Sequence, residues 1–289
     1  LLYRTSNIKF TNRIPTGNLI ARVFASLAFC IIPTFSHAGG WTQDAGKGLF
    51  VQNISYYSTS KYFDNSGNKQ SINRYRKYEL NPYIEYGLSS DWTIGANIFL
   101  QRTSQRNSIT AKNQTNWGIG DSEFFARRKI WQKDGFAFSV EPMVKLPSLE
   151  KRTQQPQIGS RYFDSGLTFS GGYSFKAWQL DHFINFDAGY RHRFGTPHDQ
   201  LKFAATAGLS VTKQASIITQ VFTTSRLDEA SQPTFTQASS DDYDLTKLQI
   251  SAMYKMDDRL SFQAGAFTHV DGLNVGSGSG AVLSANKAF

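Results

Sequence analysis

Between Asn116 and Trp131 the sequence reads NWGIGDSEFFARRKIW, with two carboxylates (Asp121, Glu123) ahead of three cations (Arg127, Arg128, Lys129) and aromatics interleaved. Acids and bases at this spacing fit a catalytic acid–base pair, a nucleic-acid patch or one exposed helix face. Other residues able to do chemistry are few. None of His182, His192, His198 and His269 begins a His-X-Ser pair, and no His/Asp/Glu group has metal-ligand spacing. The expectation is therefore a protein that is not an enzyme, with no metal and no cofactor. The GSGSG run at Gly276–Gly280 lacks the strand–loop–helix setting of a phosphate cradle and reads as a flexible loop before the last strand.

Which reading of the charged stretch holds depends on the element that carries it. The formal charge of +9 suggests a nucleic-acid partner, but Arg4, Lys9, Arg13 and Arg22 lie in a leader without acids. They precede an apolar run from Val23 to Phe35, and Ser36-His37-Ala38 then offers small residues at −3 and −1. This is the pattern of a secretory signal peptide over residues 1–38, leaving 39–289 as the exported domain. Without the leader cations the remaining charge is too small and scattered for nucleic acid. The single cysteine, Cys30, falls in the leader, so the exported part is expected to have no thiol or disulfide. No window reaches the roughly 18 apolar residues of a spanning helix. The aromatic share of 14% suits pleated strands.

Period-2 alternation dominates the exported domain. Tyr78, Leu80, Pro82, Ile84, Tyr86 and Leu88 oppose Glu79, Asn81, Tyr83 and Glu85; Trp92, Ile94, Ala96, Ile98 and Leu100 oppose Thr93, Gly95, Asn97 and Gln101. Phe136, Phe138, Val140, Pro142, Val144 and Leu146 oppose Ser139, Glu141 and Lys145, and the run beginning at Trp178 repeats the pattern. Each run holds for about ten residues, the length of a tilted membrane-crossing strand. Short turn signals near Ser90, Asp134, Lys176, Gln214 and Asp257 alternate with longer polar segments, notably Thr103–Gln114, Ser148–Ser160 and Ser225–Asp242. Their spacing of about 42 residues also matches a propeller blade, but the four short strands and the signature of a blade are missing. These features predict an all-β, transmembrane, antiparallel up-and-down β-barrel of twelve strands. Gly39–Gly48 before the first strand is enough for a peg but not for a hatch domain.

On a barrel strand Asp121, Glu123, Phe125, Arg127 and Lys129 share one face, while Ser122, Phe124, Ala126 and Ile130 share the other. The charged face must be the lumen, because Arg or Lys at lipid mid-depth costs roughly 2–4 kcal/mol. Glu79, Glu85, Glu141, Lys145, Asp164, Asp181, Asp187, Arg191, Arg193, Lys202 and Lys247 extend the set. Acids and bases nearly balance, which implies pairing across strands, Lys145 being the nearest candidate for Asp121 and Glu123. The expected lumen charge network is Glu79, Glu85, Asp121, Glu123, Arg127, Lys129, Glu141, Lys145, Asp187 and Arg191. Such a network either fills and rigidifies the lumen or lines a narrow path for small solutes.

The fragments WTQDAGKG, EYGLSSDWT, GIGDSEFFARRKIW and EPMVKLP resemble an outer-membrane family labelled meta-pathway of phenol degradation, transporter-like barrels akin to hydrocarbon-uptake channels. Gly118, Gly120, Asp121 and Glu123 match its Gly-X-Gly-Asp-X-Glu pattern, and Pro147 matches its strand end, although Ser148-Leu149 stands where Thr-Gly is usual. The resemblance implies a passive channel for small, aromatic or hydrophobic molecules in the outer membrane of a Gram-negative bacterium. A lipid hydrolase and a structural or adhesive barrel acting through its outer loops are the alternatives. Expected partners are the lipid bilayer with its lipopolysaccharide and the barrel-assembly machinery, which reads a terminal aromatic such as Phe289. The solute is unknown.

Overall fold

A computed structural model describes residues 39–107, 110–149, 155–160, 162–227 and 239–289. The expected signal peptide, 1–38, lies outside them. Fourteen β segments follow in order: β1 (Gly48–Phe63), β2 (Lys69–Gly87), β3 (Trp92–Asn97), β4 (Leu100–Arg106), β5 (Asn113–Ile119), β6 (Ser122–Lys133), β7 (Phe136–Leu146), β8 (Asp164–Ala177), β9 (Leu180–Arg193), β10 (Gln200–Ser210), β11 (Ala215–Arg226), β12 (Ser239–Lys255), β13 (Leu260–Gly276) and β14 (Ser279–Ala288). All neighbours are antiparallel, and β1 pairs with both β2 and β14, so the sheet closes on itself. Gly48 and Phe289 exchange backbone hydrogen bonds at the seam, at 2.8 and 2.9 Å.

Two pairs of segments are each one interrupted strand, which gives a closed barrel of twelve. Segments β3 and β4 keep a single register against β2, from Asn97↔Tyr83 to Leu100↔Leu80. The ladder is interrupted there because Pro82 has no N–H to donate; its carbonyl still accepts from Ile98 N at 3.0 Å. Segments β5 and β6 differ. Ile119 lies opposite Leu100 but Glu123 lies opposite Asn97, so the β5–β6 strand carries one extra residue at Gly120–Asp121. This bulge reverses parity: even positions such as Asn116 and Gly118 face inward before it, odd positions such as Glu123 and Arg127 after it. Asp121 therefore sits on the bulge and not in the strand alternation expected for it.

The outer face is aliphatic and aromatic. Ile54, Ile94, Phe169, Phe186, Ile250 and Leu283 are all exposed, as suits contact with lipid. The inner face is polar, and its asparagines, serines and threonines are often fully buried, Thr93, Asn185, Asn274 and Asn286 among them. A second bulge lies between Lys129 and Trp131. It turns Trp131 outward from its lumen parity and sets it against Phe136 and Phe138. Trp92, with the Arg128 guanidinium 5.6 Å from its ring, lies at the same rim. Trp178 departs from its expected place on a strand. It and Gln179 have φ of 51° and 62° and form a two-residue hairpin turn, leaving the indole 87% exposed.

Two loop expectations are also corrected. Most of Thr103–Gln114 is hairpin, since β4 and β5 extend to Arg106 and from Asn113. GSGSG is a tight connection rather than a flexible loop: β13 ends at Gly276, β14 starts at Ser279, and Ser277 N donates to Lys61 O at 2.9 Å. Polar side chains do not mark loops in a barrel whose lumen is itself polar. In bilayers, single-tryptophan variants should show Trp92 and Trp131 quenched together by shallow lipid-bound quenchers, with Trp178 more aqueous. Deep quenching of Trp131 would contradict the second bulge.

Candidate functional site in the lumen

Two segments of the chain itself fold into the lumen, one at each end. At the short-turn end, residues 39–45 lie inside the wall as a peg, against β2, β3 and β6–β9. Gly40 N donates to Asn185 Oδ1 at 3.0 Å, Ser139 Oγ donates to Gly39 O, and Gln43 N donates to Thr93 Oγ1 at 2.7 Å. The Trp41 ring packs edge-on to Phe183, 6.4 Å away, and over Gly172, where a Cβ would come within 2.2 Å of the indole. Only glycine leaves room there.

The peg rests on a buried ion-pair triad. Arg127 Nη1 lies 2.7 Å from Glu85 Oε1 and Nη2 lies 2.7 Å from Glu141 Oε2, while Nη1 also donates to Trp41 O at 3.1 Å. Gln43 Nε2 donates to Glu85 Oε2 at 2.8 Å, and Tyr83 Oη donates to Glu85 Oε1. A planar guanidinium offers its donors as a rigid fork and here satisfies two carboxylates and a carbonyl at once. Asp187 takes part through the peg: it accepts from Asn185 Nδ2 at 2.9 Å, and its Oδ1 lies beside Gly39.

At the loop end, residues 155–160 fold inward, and Ile158 is fully buried. Asp121 clamps this segment. Its Oδ2 accepts from Ser160 N at 2.8 Å and from Lys145 Nζ at 3.1 Å, and its Oδ1 accepts from Ser148 N at 3.1 Å. Thr103 Oγ1 and Asn116 Nδ2 both donate to Pro156 O, at 3.2 and 3.1 Å. Gly159 has φ of +65°, and a Cβ there would lie 2.4 Å from Asp121 Oδ1. The Gly-X-Gly-Asp-X-Glu run thus has a local physical meaning. A Cβ on Gly120 would crowd the Gln101 side chain at 3.0 Å, and Asp121 is turned inward to hold the loop, whereas a Cβ on Gly118 would meet Ile158 only at ordinary contact distance, 3.8 Å.

Between peg and loop, Lys145 bridges Asp121 and Asp164 (2.7 Å), and Glu123 pairs with Arg191 at 2.6 Å. Lys145 faces Glu123 across the β6–β7 ladder, yet the nearest cation oxygen contact of Glu123 is to Arg191 of β9. Arg193 approaches Asp164 at 3.7 Å. Glu79 is paired at 3.1 Å with Lys77 and accepts from Gln101 Nε2 at 2.7 Å. Lys77 stands one residue ahead of the alternating run that starts at Tyr78, and β2 extends that run back through it. Two expected members lie elsewhere: Lys129 binds Asp91 at 3.3 Å and Ser90 O at 2.6 Å at the short-turn rim, and Asp181 sits at that rim near Lys176.

The histidines are structural in their surroundings. His182 is buried beside Phe175 and Trp178 on the outward side, and His269 lies in the lumen, stacked on Tyr57 at 4.8 Å. At the loop rim, His192 and His198 each lie 3.0 Å from an aspartate, Asp199 and Asp242 respectively. Burial would raise the Asp199 pKa, but hydrogen bonds from Tyr190, Arg193 N and His192 outweigh it and hold it at about 2. That carboxylate ties the 194–199 connection to β9.

No family model matches the chain, and no curated protein matches it. Among solved structures, an outer-membrane channel from Pseudomonas putida F1 aligns over 86% of this chain and 97% of that one, with 15% identity and a TM-score of 0.65. The fold is that of an outer-membrane β-barrel. The translocator domain of the autotransporter NalP from Neisseria meningitidis (10% identity, 86% and 90% covered, TM-score 0.45) is a looser likeness. So is the CymD monoaromatic hydrocarbon channel (8%, 86% and 89%, TM-score 0.41). A bacterial outer membrane is the setting this architecture requires: closed strands satisfy the backbone, and the apolar outer belt needs lipid.

The pairing pattern makes a specific energetic prediction. Glu123→Gln and Arg191→Met should each lower the unfolding temperature of the refolded barrel, and the double variant should recover part of the loss. Glu123→Gln combined with Lys145→Met should be closer to additive. Coupling measured in heat-modifiability gels that favours Lys145 over Arg191 would contradict the geometry.

Proposed function

We propose that the protein is a passive outer-membrane channel for small solutes, its path narrowed by the peg at one end and the inward loop at the other. The observation that carries this reading is the lumen wall itself. Charges and amides face inward from strands around the barrel, and the charges are paired across strands. A barrel serving only as a scaffold gains little from such an interior, because buried ion pairs are commonly replaceable by apolar packing at no loss of stability. Paired charges with polar neighbours line an aqueous route without attracting counterions strongly. The resemblance to the phenol meta-pathway family favours aromatic or hydrophobic cargo. Tyr57, Tyr83, Phe125, Phe222 and Phe267 supply aromatic surface on the inner face. In this reading the short turns and both chain ends face the periplasm, and the longer loops face outward.

Refolded protein in planar bilayers should show discrete openings. Deleting residues 39–45 should raise the conductance severalfold, as should Asp121→Asn, which releases the inward loop. A barrel that stays silent in both forms, above all one with lipase activity, would overturn the channel reading. Orientation is tested separately. In intact cells a membrane-impermeant maleimide should label Ser66→Cys and spare Ser90→Cys; the reverse pattern would invert the topology.

A further inference from the structure

Most lysines and arginines on the lumen wall have a carboxylate within 4 Å: Lys77, Arg127, Lys145, Arg191, Arg193 and Arg226 all do, among the described residues. Lys202 and Lys247 are different. Among the described residues neither has a carboxylate at ion-pair distance, although both face inward, from β10 and β12 on either side of β11. What Lys247 has is aromatic. Its Nζ lies 4.2 Å from the Phe222 ring centroid and 5.4 Å from that of Phe267. Phe267 in turn stacks on Tyr57 with an interplanar angle of 7°.

The register places these groups on one patch of wall. Lys202 lies opposite Thr224, and Lys247 lies opposite Phe222, both on β11, the strand between them. Two strand spacings across and two residues along separate the lysine Cα atoms by roughly 12 Å. Two lysine side chains can span that gap, and Phe222 stands between them. Beyond Lys202, Glu123 is already engaged by Arg191, so Lys202 adds positive charge beside a pair that is complete. Beyond Lys247, Lys77 and Glu79 are likewise matched. Each lysine therefore lacks an ion-pair partner of its own, next to neighbours that are already paired.

We infer that Lys202, Phe222 and Lys247 form a binding station on the lumen wall for a small aromatic carboxylate, the ring lying on the Phe222–Phe267 surface and the carboxylate on the lysines. An inorganic anion would meet the lysines but leave the aromatic faces unused. An uncharged aromatic would use the faces but leave the cations unmatched. Only a ligand with both parts answers both features. The inference deepens the channel reading by naming a substrate class, and it rests on that reading for delivery of the ligand.

The probe is benzoate, titrated calorimetrically into the detergent-refolded full-length barrel, with phenol and acetate as the neutral and non-aromatic comparisons. Benzoate should bind saturably and at least about tenfold tighter than either comparison, the scale of one charge-assisted contact. K202M and K247M should each weaken benzoate by a similar factor and leave phenol unchanged. Removing an unmatched buried charge should not impair folding, and the ligand series on the native protein tests the station without any variant. Equal binding of the three probes, no saturable benzoate binding, or benzoate binding that is indifferent to both substitutions would overturn the station. Conductance is measured in parallel, so a silent barrel that still binds benzoate through these lysines sinks the channel and leaves the station standing.

Discussion

In hydrocarbon a backbone amide has no water to turn to, so every strand of this chain must find a partner on each side. The seam between β1 and β14, tied by Gly48 and Phe289, meets that demand for the whole sheet. Everything else follows from closure. Once the sheet is a tube, side chains divide into a lipid set and a lumen set by parity alone, and the lumen set is cut off from lipid. Polar residues become tolerable there, and charged ones become tolerable when a cation and an anion can meet across neighbouring or opposed strands.

Parity is also the only thing that keeps the two sets apart, which makes the bulges important. At Gly120–Asp121 the chain gains a residue and the even and odd positions exchange faces. Without that exchange Glu123, Arg127 and Lys129 would point at lipid. The same extra residue gives Asp121 its inward direction, and Asp121 then holds residues 155–160 inside the barrel. One local backbone irregularity thus sets the charge pattern of β6 and the position of a loop that is distant in sequence.

Much of the barrel was legible in the sequence because its signal is a strict period of two over long runs, and lipid contact enforces it. The inward faces of β7 and β9 follow directly, with Glu141, Lys145, Asp187 and Arg191 on one side. Partner choice was less legible. Lys145 is nearest to Glu123 in chain order, but an arginine fork arriving from β9 reaches Glu123, while Lys145 turns to Asp121 and Asp164. Sequence order ranks neighbours along a hairpin and cannot rank those facing across a tube. The Trp178–Gln179 turn was less legible for a different reason: a bulky aromatic at positive φ is uncommon, and the turn signal at Lys176-Ala177 lies two residues before it.

The peg offers a last consequence. Its contacts fall on Glu85 of β2, Thr93 of β3, Arg127 of β6, Ser139 of β7 and Asn185 of β9. Those strands are consecutive in the sheet, with β8 between β7 and β9, so the peg braces one contiguous half of the wall. A strand paired out of register in that half would carry its side chain away from residues 39–45 and leave them without their contacts. The seating of this short segment is thus tied to the register of the strands that receive it.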